Sequence, residues 1–120
     1  MFKIFDILAF LGLCTLIFWL SNQPSLPVPI VFGIQDKIHH FIAYFVLGIL
    51  TWRSFRHFVT PSAVAITSVA FCSLYGMSDE WHQSFVVGRD SETLDWVADT
   101  LGAAVAMQLL PRFQTYLKSY

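Results

Sequence analysis

The chain has 120 residues, 56% hydrophobic and 12% charged, with a net charge of −1 and a mean hydropathy of +0.60. A soluble domain carries about 25% charged residues, so the composition argues against one and points to a small integral membrane protein with a single domain, 1–120. Seven Lys and Arg are too few to neutralise a phosphate backbone, which argues against a nucleic-acid partner. Two cysteines without paired spacing, Cys14 and Cys72, indicate neither a disulfide framework nor a zinc site and read as buried thiols.

Four apolar windows of about 20 residues, 2–21, 36–55, 61–80 and 92–111, match the ~30 Å hydrocarbon thickness as helices. Lipid offers no partner for backbone N–H and C=O groups, so such windows must be helical. In the first, Lys3 before an apolar run looks like the start of a secretory signal. No small-x-small cleavage pattern follows, and the run exits into LSNQPSLPVP, so it reads as a retained span without a cleaved signal peptide. The stretch 23–35 holds three prolines and reads as a loop.

The second window opens DKIHHFIAYFVLG. Asp36, His40 and Tyr44 are spaced i, i+4, i+8 and stack on one helix face. Lys37 sits beside them at the helix start, and His39 points roughly 100° away, toward the interface. Residues 53–60 form a basic turn, and Pro61 suits a helix start, where its missing N–H costs nothing.

The third window ends in YGMSDEWHQ. Glu80 and Gln83, at i and i+3, share a face. Asp79 reads as a solvated charge at a span end, and His82 as a plain interfacial residue. The connection 81–91 carries Arg89, whose planar fork suits carboxylate or phosphate. Asp90 and Glu92 read as ordinary loop charge.

The fourth window begins LDWVADTLGAAVA, with Asp95, Asp99 and Gly102 at i, i+4, i+7. An Asp at the membrane centre costs about 2.5–3.5 kcal/mol, while each Leu or Val returns about 0.3–0.6. The six Leu and Val of this window together return only about 2–4 kcal/mol, so one deep Asp cancels them. Asp95 and Asp99 must therefore lie near an interface or face partners. Gly102 and Ala103 leave room for another helix to approach. Pro111 marks the end of this helix.

Short connections make neighbouring helices antiparallel, which gives an all-α up-down bundle of four transmembrane helices. With the N-terminus inside, five basic residues (Lys3, Arg53, Arg56, Arg112, Lys118) face the cytoplasm against two outside (Lys37, Arg89), so both termini are expected to be cytoplasmic. Trp19, Trp52, Trp81 and Trp96 fall near span ends, as interfacial indoles do. Three helices then present polar stripes at their outer ends. Asp36, His40, Tyr44, Glu80, Gln83, Arg89, Asp95 and Asp99 are the candidate pocket, catalytic or ligand-binding, with an alternative in which they form a salt-bridge network that only fixes packing. The acids allow a divalent cation, although no spacing demands one.

The run of SNQP, DKIHHFIAYFVLG, SDEWHQSFVVGR and LDWVADTLGA, from Ser21 to about Ala104, resembles the VanZ-like family of small bacterial membrane proteins. By that resemblance Asp36, Lys37, His40 and Tyr44 match the family's DK…H…Y block. Glu80 and Gln83 match its E..Q element, and Arg89, Asp95 and Gly102 match single positions. Val87 stands where proline is common, and Asp99 where many members have Asn, which adds a charge. The founding member is associated with teicoplanin resistance, so the resemblance implies a multi-pass protein of the bacterial plasma membrane and a possible link to glycopeptides.

Two functions follow as expectations. In the first, an enzyme acts from the outer leaflet on an envelope lipid or a lipid-linked peptidoglycan precursor. His40 is then a general base oriented by Asp36 or Glu80, and Arg89 and Lys37 hold phosphate. No nucleophile elbow, HExxH or phosphate loop is present. In the second, the protein is non-enzymatic and binds a head group or antibiotic, or serves as an accessory to other envelope proteins. A transporter or channel would need more helices than one copy supplies.

Overall fold

The computed structural model describes residues 3–23, 35–88 and 92–118, apart from the side chains of 113–118. Four α-helices account for nearly all of them: α1 (Lys3–Ser21), α2 (Gln35–Phe55), α3 (Val64–Gln83) and α4 (Thr93–Lys118). Most of the proline-rich stretch after α1, and Arg89 itself, lie outside the described residues.

Each helix follows its sequence window with two differences. Residues 61–63 form a turn in which Ala63 N–H donates to Thr60 O, and α3 begins at Val64, three residues after the expected Pro61. Helix α4 does not stop at Pro111 but continues to Lys118. A proline removes one ladder bond, and a helix can carry that loss as a kink when the following residues continue it.

The order is up-down, with α2 at the centre. It packs against α1, α3 and α4, while α1 touches only α2 and α3 among the described residues. Close approach of α2 and α4 depends on Gly102. A Cβ there would lie 2.3 Å from Phe41 O and 3.1 Å from Phe45 N, so no larger residue fits without separating the helices. Gly48 repeats the contact one level down, where a Cβ would lie 3.1 Å from Ala103 Cα. This is the small-residue packing that GAA in α4 predicts.

The middle of the bundle is apolar and aromatic. Phe10, Phe55 and Phe71 pack with centroids 5.2–5.9 Å apart, beside buried Ile17, Leu47 and Cys72. Tyr75 Oη donates to Cys14 O and ties α1 to α3. Both cysteines are free thiols, Cys72 buried and Cys14 half-buried.

The distribution of side chains is inverted relative to a soluble domain. More polar than apolar residues are buried among the described ones, including Asp6, His40, Asp79, Glu80, Gln83, Asp95 and Asp99. The outside of every helix is greasy: Phe5 and Leu8 on α1, Ile42 on α2, Ile66 and Leu74 on α3, Leu94 and Leu101 on α4. On length and composition alone, however, only α1 qualifies as a membrane span among the described residues, with a mean hydropathy of 2.2. The polar stripes that the other helices turn inward dilute their hydropathy.

Candidate functional site

Antiparallel helices place the start of α2 and α4 at the same end of the bundle as the finish of α1 and α3. The stripes legible in the sequence therefore meet. Asp36, His40, Tyr44, Glu80, Gln83, Asp95 and Asp99 all come to this acidic end.

His40 is the hub. Its Nδ1 lies 2.8 Å from Asp99 Oδ1. Its Nε2 lies 3.8 Å from Asp95 Oδ2 and 3.9 Å from Asp36 Oδ1, too far for hydrogen bonds. With Asp99 ionised, Nδ1 carries a proton and donates a hydrogen bond to that carboxylate. In the neutral imidazole Nε2 then presents a lone pair, as in a general base or a metal ligand oriented by a carboxylate. Asp99 Oδ2 makes no hydrogen bond and sits against Gly76 of α3, where a Cβ would lie 2.9 Å from it.

Lys37 is paired rather than merely capping. Its Nζ lies 2.5 Å from Glu92 Oε2, and 3.1 Å from Asp95 Oδ1 as an ion pair without hydrogen-bond alignment. The Glu92 backbone N–H donates to Glu80 Oε2 at 3.0 Å. Glu92 is thus part of the cluster and not an ordinary loop charge, because the start of α4 folds back over the end of α3. Asp79 also departs from expectation. It is 7% exposed, not solvated. The sequence held the signal, since Asp79 and Gln83 are at i and i+4 and continue the buried line Ser68, Cys72, Gly76 of α3. His82 stacks on Phe18 at 4.7 Å and lies within 3.2 Å of Asn22 Oδ1.

Between α1, α2 and α3 a cleft of about 450 Å³, counted to its open mouth, leads to this cluster. Ile17, Leu20 and Ala43 form an apolar wall. His40, Tyr44, Asp79 and Gln83 form a polar one, joined by His39, which turns into the cleft rather than away from it. Tyr44 is 1% and Gln83 2% exposed, yet Tyr44 Oη and Gln83 Oε1 have no hydrogen-bond partner. Buried polar atoms are almost always paired, so two orphans on residues that line one cleft suit a site built for a ligand.

The charge balance is lopsided. Asp36, Glu92, Asp95 and Asp99 share one lysine and one histidine among the described residues. Two groups have metal-ligand spacing, His40–Asp79–Glu80–Asp99 and Asp36–His40–Asp95.

The opposite, basic end was the larger omission. Asp6 is fully buried there. Arg53 Nε donates to its Oδ1 at 2.8 Å, and Arg56 Nη2 and His57 Nε2 lie 3.3 and 2.9 Å from its Oδ2. Ser54 Oγ donates to the Asp6 carbonyl at 2.9 Å.

Comparison with known proteins agrees with the pattern of residues. An uncharacterized protein of Schizosaccharomyces pombe is 30% identical over 92 residues, 76% of this chain and 53% of that protein. The chain thus spans about half the length of this relative. No solved structure gives a significant match. The VanZ/LLP1 family model matches residues 3–114, nearly the whole chain, and the chain belongs to that family.

Proposed function

We propose that this is a four-span membrane protein whose acidic end opens to the outer leaflet and binds the head group of a membrane lipid, with His40 and Asp99 positioned to act on it. The cleft carries this reading: an apolar wall beside α1 suits an acyl chain, and the wall of His40, Tyr44, Asp79 and Gln83 suits a polar head. The inverted distribution of side chains supports four spans, since buried acids and an apolar exterior suit lipid. Family membership supports a membrane setting.

Teicoplanin resistance is the narrower form of the proposal. It requires that expression in a susceptible bacterium raise the inhibitory concentration and that His40→Ala abolish the rise.

The main test uses the full chain, purified in mild detergent and offered a photoreactive phospholipid. Labelling within α1–α3 is expected, with a several-fold loss in His40→Ala and Glu80→Gln at equal protein abundance. Equal labelling of all three proteins would remove the cleft from the account. Extracted membrane lipids then separate the two readings. A lipid species that changes with wild type and not with His40→Ala indicates an enzyme, and unchanged lipids indicate a binding protein. Orientation is tested at Val87, which is 91% exposed in the turn after α3. Val87→Cys should react with an impermeant maleimide from outside intact cells, and reaction only after lysis would reverse the topology.

A further inference from the structure

We propose that the head group taken by this cleft carries hydroxyls, as a glycerol or sugar unit does, and that Tyr44 and Gln83 hydrogen-bond them. This rests on the lipid reading above and narrows it to one class of head group. Tyr44 Oη and Gln83 Oε1 have no hydrogen-bond partner among the described residues, although the two residues are only 1% and 2% exposed. They belong to different helices, α2 and α3, and both residues line the cleft. Unpaired buried polar atoms are rare, because each loses its water without gaining a bond in return. A ligand that reaches both recovers two bonds at once.

Hydrogen-bonding capacity selects the ligand group. A phenol hydroxyl donates and accepts, and an amide can turn about its last bond to present either Oε1 or Nε2. His40, on the same cleft, adds an acceptor. Its Nε2 in the neutral imidazole lies 3.8 and 3.9 Å from Asp95 Oδ2 and Asp36 Oδ1, too far to bond either. An ammonium group only donates, so it leaves the Tyr44 hydrogen without an acceptor. Phosphodiester oxygens only accept, so they use that hydrogen but offer nothing to His40 Nε2 or Gln83 Oε1. A hydroxyl does both, and it suits all three groups whichever way the amide is turned. Ser21 Oγ, also on the cleft, makes only a long 3.5 Å bond to Asp79 O and can join them.

Charge points the same way. A further ion among residues this buried costs far more than a neutral group. Asp99, 2.8 Å from His40, keeps Oδ2 without a hydrogen bond, which disfavours an anion beside it. The match to hydroxyls holds however the carboxylates of Asp79 and Glu80 are paired. Two kinds of lipid carry such a unit, a phosphatidylglycerol and a glycosyl diacylglycerol, and they differ in the phosphate.

The test uses the full chain, stripped of lipid and held in an amine-oxide detergent, whose head has no hydroxyl to compete. It is offered an equal mixture of phosphatidylglycerol, glucosyl diacylglycerol, phosphatidylethanolamine and phosphatidate with identical acyl chains. Native mass spectrometry counts what each chain retains. At least one hydroxyl-bearing lipid should be retained about ten-fold or more above phosphatidylethanolamine and phosphatidate, as bonds to two buried groups would give. Preference for phosphatidylglycerol places the hydroxyls on a phosphodiester, and preference for the glucosyl lipid places them on a neutral head; either supports the proposal. Tyr44→Phe and Gln83→Leu should each remove most of the preference while lipid is still retained. If Gln83→Leu fails to fold, Tyr44→Phe decides, since it keeps the ring. Phosphatidylethanolamine or phosphatidate retained as well as the other two would overturn the proposal, and so would a preference that Tyr44→Phe leaves intact. Equal retention of all four lipids would leave the lipid reading standing without it, whereas no retained lipid at all would sink both.

Discussion

The two ends of the bundle handle buried carboxylates in opposite ways. At the basic end one acid, Asp6, receives Arg53, Arg56 and His57, and each of its oxygens is within 2.9 Å of a donor. At the acidic end Asp36, Glu92, Asp95 and Asp99 share Lys37 and His40 among the described residues, and Asp99 Oδ2, Tyr44 Oη and Gln83 Oε1 are left without hydrogen bonds. Both ends bury polar groups, so polarity alone says nothing about function. What separates them is satisfaction. A buried charge with a surplus of partners fixes helices in place, while one with a deficit implies something still to be bound.

The comparison breaks most visibly if Asp6 proves dispensable. Asp6→Asn removes the shared partner of two arginines and a histidine that join α1 to the end of α2 and the turn after it. Loss of one member of a buried pair costs about 3–5 kcal/mol. The low end, about 3 kcal/mol, is expected, because Arg53 and Arg56 are 37% and 35% exposed and can swing into water. Thermal unfolding in detergent measures it, and a change below about 1 kcal/mol would place this cluster among ordinary surface pairs.

Gly102→Ala comes next. The new Cβ would meet Phe41 O at 2.3 Å, so α2 and α4 must separate. Overpacking of this kind costs about 1–3 kcal/mol, and it also stretches the 2.8 Å contact between His40 and Asp99. Stability and lipid photolabelling should therefore fall together. A drop in stability with full labelling would show that the His40–Asp99 geometry is not what holds the ligand.

Much of this was legible in the chain. Spacing placed Asp36, His40 and Tyr44 on one face of α2 and Asp95 and Asp99 on one face of α4, and the structure keeps both faces. Gly102 signalled the close helix pair. The basic cluster was not legible, because Asp6 lies 47 to 51 residues before its partners and no helical period links positions that far apart. Asp79 was misread because a charge at a helix end is usually solvated. Only its register with Ser68, Cys72 and Gly76 reveals that it turns inward. Arg89, expected to bridge the carboxylates, lies outside the described residues; among those described, Lys37 holds Glu92 and Asp95.

Asp99→Asn sharpens the contrast because it is the same chemical change as Asp6→Asn. Its amide oxygen still accepts from His40 Nδ1, and one of several crowded charges disappears. Stability should move by less than about 1 kcal/mol, in either direction, since lost charge assistance to His40 offsets relieved repulsion. A loss as large as that of Asp6→Asn would mean that the acidic end is held together by its charges as the basic end is.

The smallest structural effect, and the most telling, is expected at Tyr44. Removing a buried hydroxyl that has a partner costs about 0.5–1.5 kcal/mol, but Tyr44 Oη has none. Tyr44→Phe keeps the ring, which packs near Tyr75 at 6.4 Å, and deletes only the orphan. Unfolding should therefore be unchanged or slightly raised in temperature, while phospholipid photolabelling falls. If the hydroxyl belongs to the architecture, as Asp6 does, the result reverses, with stability falling and labelling intact. Measuring both quantities on one variant thus asks of a single atom whether the acidic end is built to hold the helices or to hold a ligand.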